Sequence, residues 1–344
     1  MNELPLLATM GVGSYATPGW LFHFREGMRQ GLAGPADVEE AFEDAARIAV
    51  ADQIEAGLDV ICDGELRRMR FVFEMYDRLS GLERTQPPRR LGVPGYDRAP
   101  HFVATTAVSA PRGLGIVREY RQLRRLCPDR PLKIAFPGPM TFLGSIEPGE
   151  HYGGRREALL ADLIAIVREE LVGLAAAGAD FIQLDEPGFA RPPQGLDIAA
   201  AAEAINACIS GHEAATAVHV CFGNNASRPN VRRDLGRLFP ALGQLNCPLL
   251  LLEFANREMG DLDLLPELAR RYKIAAGVVD VKSFYEETAE DVAARIRRVL
   301  SVVPAEQLYV TADCGFSAIP RWLARAKLRA MAAGARLARA GLRR

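Results

Sequence analysis

The stretch GLAAAGADFIQLDE, Gly173 to Glu186, has a pattern that indicates the fold. The stretch QIEAGLDVICDGE, Gln53 to Glu65, has the same pattern. Each stretch has the end of a helix, a glycine, a short apolar run and an acidic residue. Gly57 and Gly178 suit the left-handed conformation that ends many helices. The apolar runs do not alternate with polar residues, which is typical of strands buried on both faces of a parallel sheet. The repeated unit is therefore a helix followed by a parallel strand.

The same alternation continues outward in both directions. Apolar runs of strand length lie at Leu6–Val12, Asp59–Cys62, Lys133–Phe136, Phe181–Leu184, Ala217–Cys221, Leu249–Glu253, Ile274–Val279 and Leu308–Thr311. Helix-length segments lie between them, such as Asp37–Ala56, Arg156–Ala177 and Thr288–Val303, where Thr288 and Asp291 form a capping-box pattern. Eight such units without a linker predict an α/β fold, a single (β/α)8 TIM barrel that forms one domain over residues 1–344.

Two further features qualify this prediction. A ninth strand candidate, Phe102–Val108, lies in a stretch rich in proline and arginine, so we expect a hairpin-like excursion from the barrel around residues 82–113. A doubly wound sheet is the alternative architecture, and it would need a glycine-rich phosphate loop after the first strand. The sequence GVGSYATPGW offers only Gly11 and Gly13 before Pro18, which disfavours that alternative.

Composition narrows the class of partner. The chain has 344 residues, and its 42 basic and 43 acidic side chains give a net charge of −1, so no electrostatic attraction favours nucleic acid. No apolar run reaches the roughly 18–20 residues that a membrane span needs. The N-terminal sequence lacks the basic and apolar regions of a secretory signal. We therefore expect a cytoplasmic protein, with no membrane partner and with reduced cysteines.

Four residues at strand ends form a candidate metal site. In a TIM barrel the reacting groups lie at the carboxyl ends of the strands. His219 and Cys221 are two apart on one strand and therefore share a face. Glu253 ends the run LLLLE, and Cys314 follows the strand LYVTA. One imidazole, two thiolates and one carboxylate complete a tetrahedral zinc set. Ordinary core packing is the better explanation of a lone HxC pattern, but it does not explain four ligand types at successive strand ends.

The distribution of these ligands favours a catalytic zinc ion over a structural one. Structural sites commonly pair their ligands closely, whereas these are spread from residue 219 to residue 314. A ligand set with a charge of about −3 quenches the acidity of Zn²⁺ and suits a substrate thiol better than water. The sequence therefore predicts thiol activation.

Glu65 and Asp185 end the two strands of the repeated unit. Paired carboxylates can act as acid and base or can hold an ammonium group. Since zinc already accounts for activation of the nucleophile, the ammonium interpretation is preferred. The alternatives are an ion pair of Glu65 with a nearby arginine and an N-cap role for Asp185 before Pro187.

Eight stretches together carry a resemblance to a known family. They are GVGSYATP, LDVICDGELRRMRF, FPGPMTF, FIQLDEPGF, HVCFGN, LLLEFAN, GVVDVKS and TADCGF. In this order they resemble the catalytic C-terminal barrel of cobalamin-independent methionine synthase, over nearly the whole chain. The resemblance implies zinc ligands at His219, Cys221, Glu253 and Cys314. It also implies that Ser14, Glu65 and Asp185 hold an amino-acid thiol, most simply homocysteine, which attacks a methyl donor to give methionine.

The chain departs from the family on the donor side. It has no room for the second, N-terminal barrel of the full-length family, and PGPMTFLGSIEPG lacks the family's folate-stacking tryptophan. The family's histidine two residues after Asp280 corresponds to Lys282. Lys282 and Asp280 are therefore candidate catalytic residues, with Lys282 as electrophile or proton donor. A lysine merely paired with Asp280 or Asp313 is the alternative.

These departures predict a donor other than a folate polyglutamate, for example a corrinoid-bound methyl group. A corrinoid protein or another accessory protein is then a candidate partner. Three alternatives stay open: zinc-dependent addition of a thiol to an epoxide, as in coenzyme M transferases; a metal-free decarboxylase barrel; and a non-catalytic barrel that holds zinc or a thiol for a partner.

Overall fold

A computed structural model of the chain describes residues 4–68, 73–85, 101–224, 228–229 and 231–342. The strands are β1 (Ser80–Thr85), β2 (His101–Ser109), β3 (Lys133–Pro137), β4 (Ile146–Pro148), β5 (Phe181–Asp185), β6 (Thr216–Val220), β7 (Leu249–Glu253), β8 (Lys273–Val279) and β9 (Leu308–Ala312). The α-helices are α1 (Gly19–Arg29), α2 (Pro35–Ala56), α3 (Phe73–Tyr76), α4 (Ile116–Leu126), α5 (Pro139–Leu143), α6 (Arg156–Ala176), α7 (Pro187–Ala190), α8 (Ile198–Ile209), α9 (Leu235–Leu242), α10 (Leu265–Leu268), α11 (Ala289–Leu300) and α12 (Arg321–Leu342).

The main sheet is parallel and follows chain order. Its six strands run β3-β5-β6-β7-β8-β9. Isolated parallel bridges connect its two edges through two further segments, pairing Val310 with Thr9, Met10 with Val60, and Ile61 with Leu132 beside β3. Eight parallel segments therefore neighbour one another in a ring, as a TIM-barrel fold requires.

A cluster of buried side chains fills the middle of this ring. Its members come from six of the eight segments: Ala8, Met10, Val60, Ala217, Leu249, Leu251, Ala275 and Tyr309. A second, much larger cluster lies between the strands and the helices. Because residues two apart on a strand share a face, these two clusters correspond to the inward and outward faces of the ring.

Most of the predicted elements are present, with small shifts at their ends. Gly57 adopts a left-handed φ of 88° at the end of α2, and Gly178 has a φ of 78° just after α6. Thr288 caps α11 through the predicted box with Asp291. The first two predicted strands form only isolated β-bridges in the described residues, and the side chain of Asp59 contributes to this. The Asp59 carboxylate accepts hydrogen bonds from the amide and hydroxyl of Thr9 at 2.8 and 2.9 Å, so these groups do not extend the strand ladder.

The excursion predicted around residues 82–113 is an antiparallel pair. β1 and β2 pair from Ser80 opposite Ser109 to Thr85 opposite His101, and β4 adds a third, parallel strand. Residues 86–100, the middle of the predicted excursion, lie outside the described residues. This small sheet is separate from the main one.

A search of the described residues found no helix with the length and apolar character needed to cross a membrane.

Candidate metal and thiol site

The carboxyl ends of β6 and β9 bring three of the four predicted metal ligands together. The ligand atoms of His219, Cys221 and Cys314 all lie within 4.8 Å of one another. The two sulfur atoms are 4.0 Å apart. Two thiolates on one tetrahedral zinc ion, each about 2.3 Å from the metal, would lie about 3.8 Å apart. The cluster therefore has the size and the donor atoms of a zinc site.

The ring of His219 is oriented with one nitrogen toward this cluster. Its Nδ1 lies 2.9 Å from Oδ1 of Asp185, and Asp185 pairs with His219 in the β5–β6 register. Its Nε2 is buried and has no hydrogen-bond partner among the described residues. Burial alone would lower the pKa of His219, but the hydrogen bond and charge of Asp185 raise it. A buried imidazole nitrogen with no partner, beside two thiols, fits a metal ligand.

Glu253, the fourth predicted ligand, is engaged by Lys282. Oε2 of Glu253 lies 2.7 Å from the Lys282 ammonium, and both side chains are almost fully buried. Oε1 of Glu253 is buried and has no hydrogen-bond partner among the described residues. This oxygen is therefore available to a metal, while the other oxygen is held by lysine. The pairing of Lys282 with Glu253 differs from both partners considered above, Asp280 and Asp313.

Asp280 and Asp313 have other contacts. The Asp280 carboxylate accepts a hydrogen bond from the backbone amide of Lys282 at 2.8 Å, which stabilises the turn after β8. Asp313 accepts the backbone amides of Phe254, Ala255 and Asn256 at 2.6–2.9 Å, which fixes the loop after Glu253. Neither carboxylate forms an ion pair with Lys282 among the described residues.

The electrostatics of the cluster favour a thiolate on Cys314. Its hydrogen bond with the Cys221 thiol, together with the nearby Lys282 ammonium, lowers the pKa of Cys314 to about 7 against the opposing effect of burial. The same interaction and burial raise the pKa of Cys221. Since thiolates are the metal-binding form of cysteine, the site is already partly prepared for a cation.

Glu65 lies in a buried pocket beside the ring. It has a left-handed φ of 58°, uncommon for a residue with a side chain, and its amide donates to Asp63 at 3.0 Å. Its carboxylate lies 3.1 Å from the guanidinium of Arg68, with both side chains 1% exposed. Burial raises the pKa of Glu65, and Arg68 opposes that rise. A Cβ at Gly13 would collide with the Glu65 carboxylate, so this position needs glycine.

Ser14 lies between Glu65 and the metal cluster. Its neighbour Gly13 contacts Glu65, while its own hydroxyl occupies the space where a Cβ of Gly315 would be. The Ser14 carbonyl accepts the amide of Phe316 at 2.7 Å, which ties the loop after Cys314 to the first segment. Ser14, Glu65 and Asp185 thus lie after or at the ends of the first, second and fourth segments of the ring.

Three buried polar residues near the site were not expected from the sequence. Lys133 and Gln183 point into the ring, and Glu119 forms a buried ion pair with Arg68 at 2.9 Å. Arg68 is also the arginine that pairs with Glu65, as the ion-pair alternative for Glu65 predicted. The alternation of faces along β3 and β5 could have predicted the inward orientation of Lys133 and Gln183. Lys133 shares its face with Ala135, and Gln183 shares its face with Asp185.

Comparisons with known proteins identify the family of the chain. Residues 7–337 match the model of the family described as cobalamin-independent synthase, catalytic domain. The chain belongs to this family. It is 32% identical to a methionine synthase from Saccharolobus solfataricus, over 100% of this chain and 98% of that protein. Membership of this cobalamin-independent synthase family implies an enzyme that transfers methyl groups.

Solved structures support the same fold. A B12-independent methionine synthase from Shewanella sp. W3-18-1, in complex with selenomethionine, matches 98% of this chain and 99% of its own length, with 30% identity and a TM-score of 0.82. A methyltransferase from Methanosarcina mazei matches with a TM-score of 0.60 and 14% identity, covering 96% of this chain and 94% of its own. At that identity the second match concerns the fold alone.

Proposed function

We propose that this member of the cobalamin-independent synthase family binds one zinc ion and methylates the thiol of homocysteine to give methionine. The observation that carries the proposal is the group of His219, Cys221 and Cys314, whose ligand atoms lie within 4.8 Å of one another. The unpartnered buried oxygen of Glu253 supplies the fourth ligand. When bound, the zinc ion would keep the substrate sulfur deprotonated and nucleophilic at neutral pH.

The chain's own residues position the amino acid. We assign the ammonium group of homocysteine to the carboxylates of Glu65 and Asp185, and a hydrogen bond to the Ser14 hydroxyl. Support comes from Asp185, whose Oδ1 accepts from His219 and Gln183 while Oδ2 accepts no hydrogen bond among the described residues. Two anionic groups in a buried site favour a cation. The Shewanella relative holds selenomethionine, an amino acid of the product's shape.

Lys282 and Asp280 are proposed to serve the reaction from the metal side. The Lys282 ammonium holds one oxygen of Glu253 at 2.7 Å, and Asp280 fixes the backbone of Lys282. Burial opposes a charged lysine, but Glu253 and Cys314 raise the pKa of Lys282, so its ammonium stays protonated. It can therefore orient the carboxylate ligand and act as an electrophile toward the donor's leaving group.

The methyl donor is proposed to be other than a folate polyglutamate, since the donor-side residues of the family are replaced. No comparison supports a corrinoid protein as partner, and a corrinoid enters only as one candidate donor. The test is methionine formation from homocysteine by the purified zinc-loaded protein with a panel of donors. The panel contains methylcobalamin, a methylfolate monoglutamate, a methylfolate polyglutamate and a methylsulfonium compound.

The expected result is methionine with at least one donor of the panel and a lower rate with the polyglutamate. A His219→Asn variant should lose this activity. Tight binding of homocysteine without turnover on any donor would contradict the enzyme assignment and favour the accessory-barrel alternative. Equal use of the polyglutamate would contradict the donor assignment alone.

A further inference from the structure

Two buried polar residues below the metal cluster have no role in the reaction so far. Lys133 on β3 is 1% exposed, and Gln183 on β5 is fully buried. The Lys133 ammonium donates to the carbonyl of Val12 at 2.5 Å and to Oε1 of Gln183. Burial lowers the pKa of Lys133 to about 8, which indicates how unfavourable a charged group is there. A lysine buried without a carboxylate directly against it calls for a functional explanation.

The hydrogen bonds of Gln183 continue from Lys133 toward the cluster. Its Nε2 donates to Oδ1 of Asp185 at 2.6 Å. The same Oδ1 lies 2.9 Å from Nδ1 of His219. The chain of contacts therefore runs from Lys133 through Gln183 and Asp185 to His219. The other ring nitrogen of His219, Nε2, is buried and has no hydrogen-bond partner among the described residues.

The chemistry of each group fixes the direction of these bonds. An ammonium group can only donate, and an ionised carboxylate can only accept. The Gln183 amide between them satisfies both neighbours only with its oxygen toward Lys133 and its NH2 group toward Asp185. Because Asp185 Oδ1 accepts, Nδ1 of His219 must carry the proton of the neutral ring. The lone pair then lies on Nε2, where a metal ligand needs it.

We propose that Lys133 and Gln183 are positioning residues that set the tautomer and orientation of His219 through Asp185. This inference deepens the proposed function, since it concerns the same metal site. The hydrogen-bonded chain from Lys133 through Gln183 and Asp185 to His219 forms a relay, and Lys133 is its fixed end. Only a donor at that point prevents the Gln183 amide from flipping its oxygen and nitrogen. A turned amide would place its oxygen against the Asp185 carboxylate and release the carboxylate from its position.

Three variants test the relay. Lys133→Met and Gln183→Met keep the length of each side chain and remove its polar end. Tyr272→Phe is the control, since it removes a buried hydroxyl that contacts the carbonyls of Leu242 and Leu245 at the opposite, amino-terminal end of β8. Two readouts are measured for each protein. One is zinc affinity by chelator competition, and the other is the 15N shifts of the His219 ring in the zinc-free protein, at a pH high enough for the ring to be neutral and assigned by comparison with His219→Asn.

The relay predicts that wild type and Tyr272→Phe show His219 protonated at Nδ1. Each relay variant should show a mixture of tautomers and bind zinc about 10–100-fold more weakly, the usual effect of losing an outer-sphere partner. The double variant should lose no more affinity than the stronger single variant, because both changes break one chain.

Zinc affinity and tautomer equal to wild type in both single variants would overturn the relay, whatever happens to their melting temperatures. If wild type binds no zinc, the proposed function fails. The tautomer measurement still decides the relay in that case, because it is made on the zinc-free protein.

Discussion

At the scale of single residues, the site depends on polar atoms that burial leaves without partners. Nε2 of His219 and Oε1 of Glu253 are buried and accept nothing among the described residues. An unpaired buried acceptor costs about 1–3 kcal/mol, so its persistence indicates a partner that arrives from outside the chain. The sequence predicted these residues from their positions at strand ends. It could not show that Lys282 holds Glu253, because that contact depends on the path of the loop after β8.

Replacing Cys314 by serine tests the ligand assignment. Cys314→Ser should lose most of its zinc and its methyl-transfer activity, by more than the roughly 10–100-fold typical of changes outside the first coordination sphere. The fold should be retained, since the side chain lies at a loop. Zinc is measured by metal analysis after gel filtration, and Cys127→Ser is the control because Cys127 is a cysteine outside the metal cluster, at the end of α4. Unchanged zinc in Cys314→Ser would remove Cys314 from the ligand set.

Replacing Glu65 by glutamine tests recognition of the amino group. Glu65→Gln should raise the KM for homocysteine about 5- to 150-fold, since a charge-assisted hydrogen bond contributes about 1–3 kcal/mol. Inhibition by 4-mercaptobutyrate, which has the thiol and carboxylate but no amine, should hardly change. Equal weakening of both compounds would mean that Glu65 maintains the pocket without binding the ammonium.

At the scale of elements, loops at the carboxyl ends of the strands are held by carboxylates from neighbouring strands. Glu186, which follows β5 directly, accepts from the amides of Met140 and Thr141, both at 3.0 Å, and from the Thr141 hydroxyl at 2.9 Å. A Cβ on Gly138 would collide with the Glu186 side chain. The short helix α5 therefore begins where Glu186 holds it, beside the mouth of the ring.

Removal of this carboxylate should destabilise the protein. Glu186→Met leaves two backbone donors unpaired, and we expect the free energy of unfolding to fall by at least about 2 kcal/mol. Urea unfolding followed by circular dichroism measures the change. Glu203→Met on α8 makes the same substitution at an exposed position and should change stability by less than about 0.5 kcal/mol. Equal effects in the two variants would contradict the role of Glu186.

The strands of the main sheet can be predicted from the sequence more fully than the first two segments of the ring, for a physical reason. Strands β3 and β5 to β9 were predicted because their continuous apolar runs record burial on both faces. The segments around Thr9 and Val60 have similar runs, yet they form only single bridges. The Asp59 carboxylate competes there with the strand ladder, and such a long-range contact leaves no trace in local hydrophobicity.

At the scale of the whole molecule, the interior of the ring combines an apolar cluster with buried polar side chains. Ala8, Tyr309 and their neighbours form the apolar cluster, while Lys133 and Gln183 form a hydrogen-bonded polar group that leads to His219. The burial of this polar group has a cost in stability. The titration of Lys133 makes that cost measurable.

Stability should depend on pH through Lys133. Burial lowers the pKa of this lysine from 10.5 to about 8, so between these values the unfolded chain binds more protons than the folded chain. Stability due to this group therefore rises with pH from about 8 to about 10.5, by about 3 kcal/mol at most, and the full cost is present below pH 8. Urea unfolding of wild type and Lys133→Met across this range measures the difference. A stability difference that does not change with pH would contradict the buried charge.

The proposed function depends on a zinc site that takes up a substrate thiol. Metal analysis together with zinc X-ray absorption on the purified protein, with and without homocysteine, tests this. We predict one zinc per chain with two sulfur neighbours, and a third sulfur neighbour when homocysteine is added. Zinc coordination that does not change when homocysteine is added, or a folded protein that binds no zinc, would contradict the proposed function.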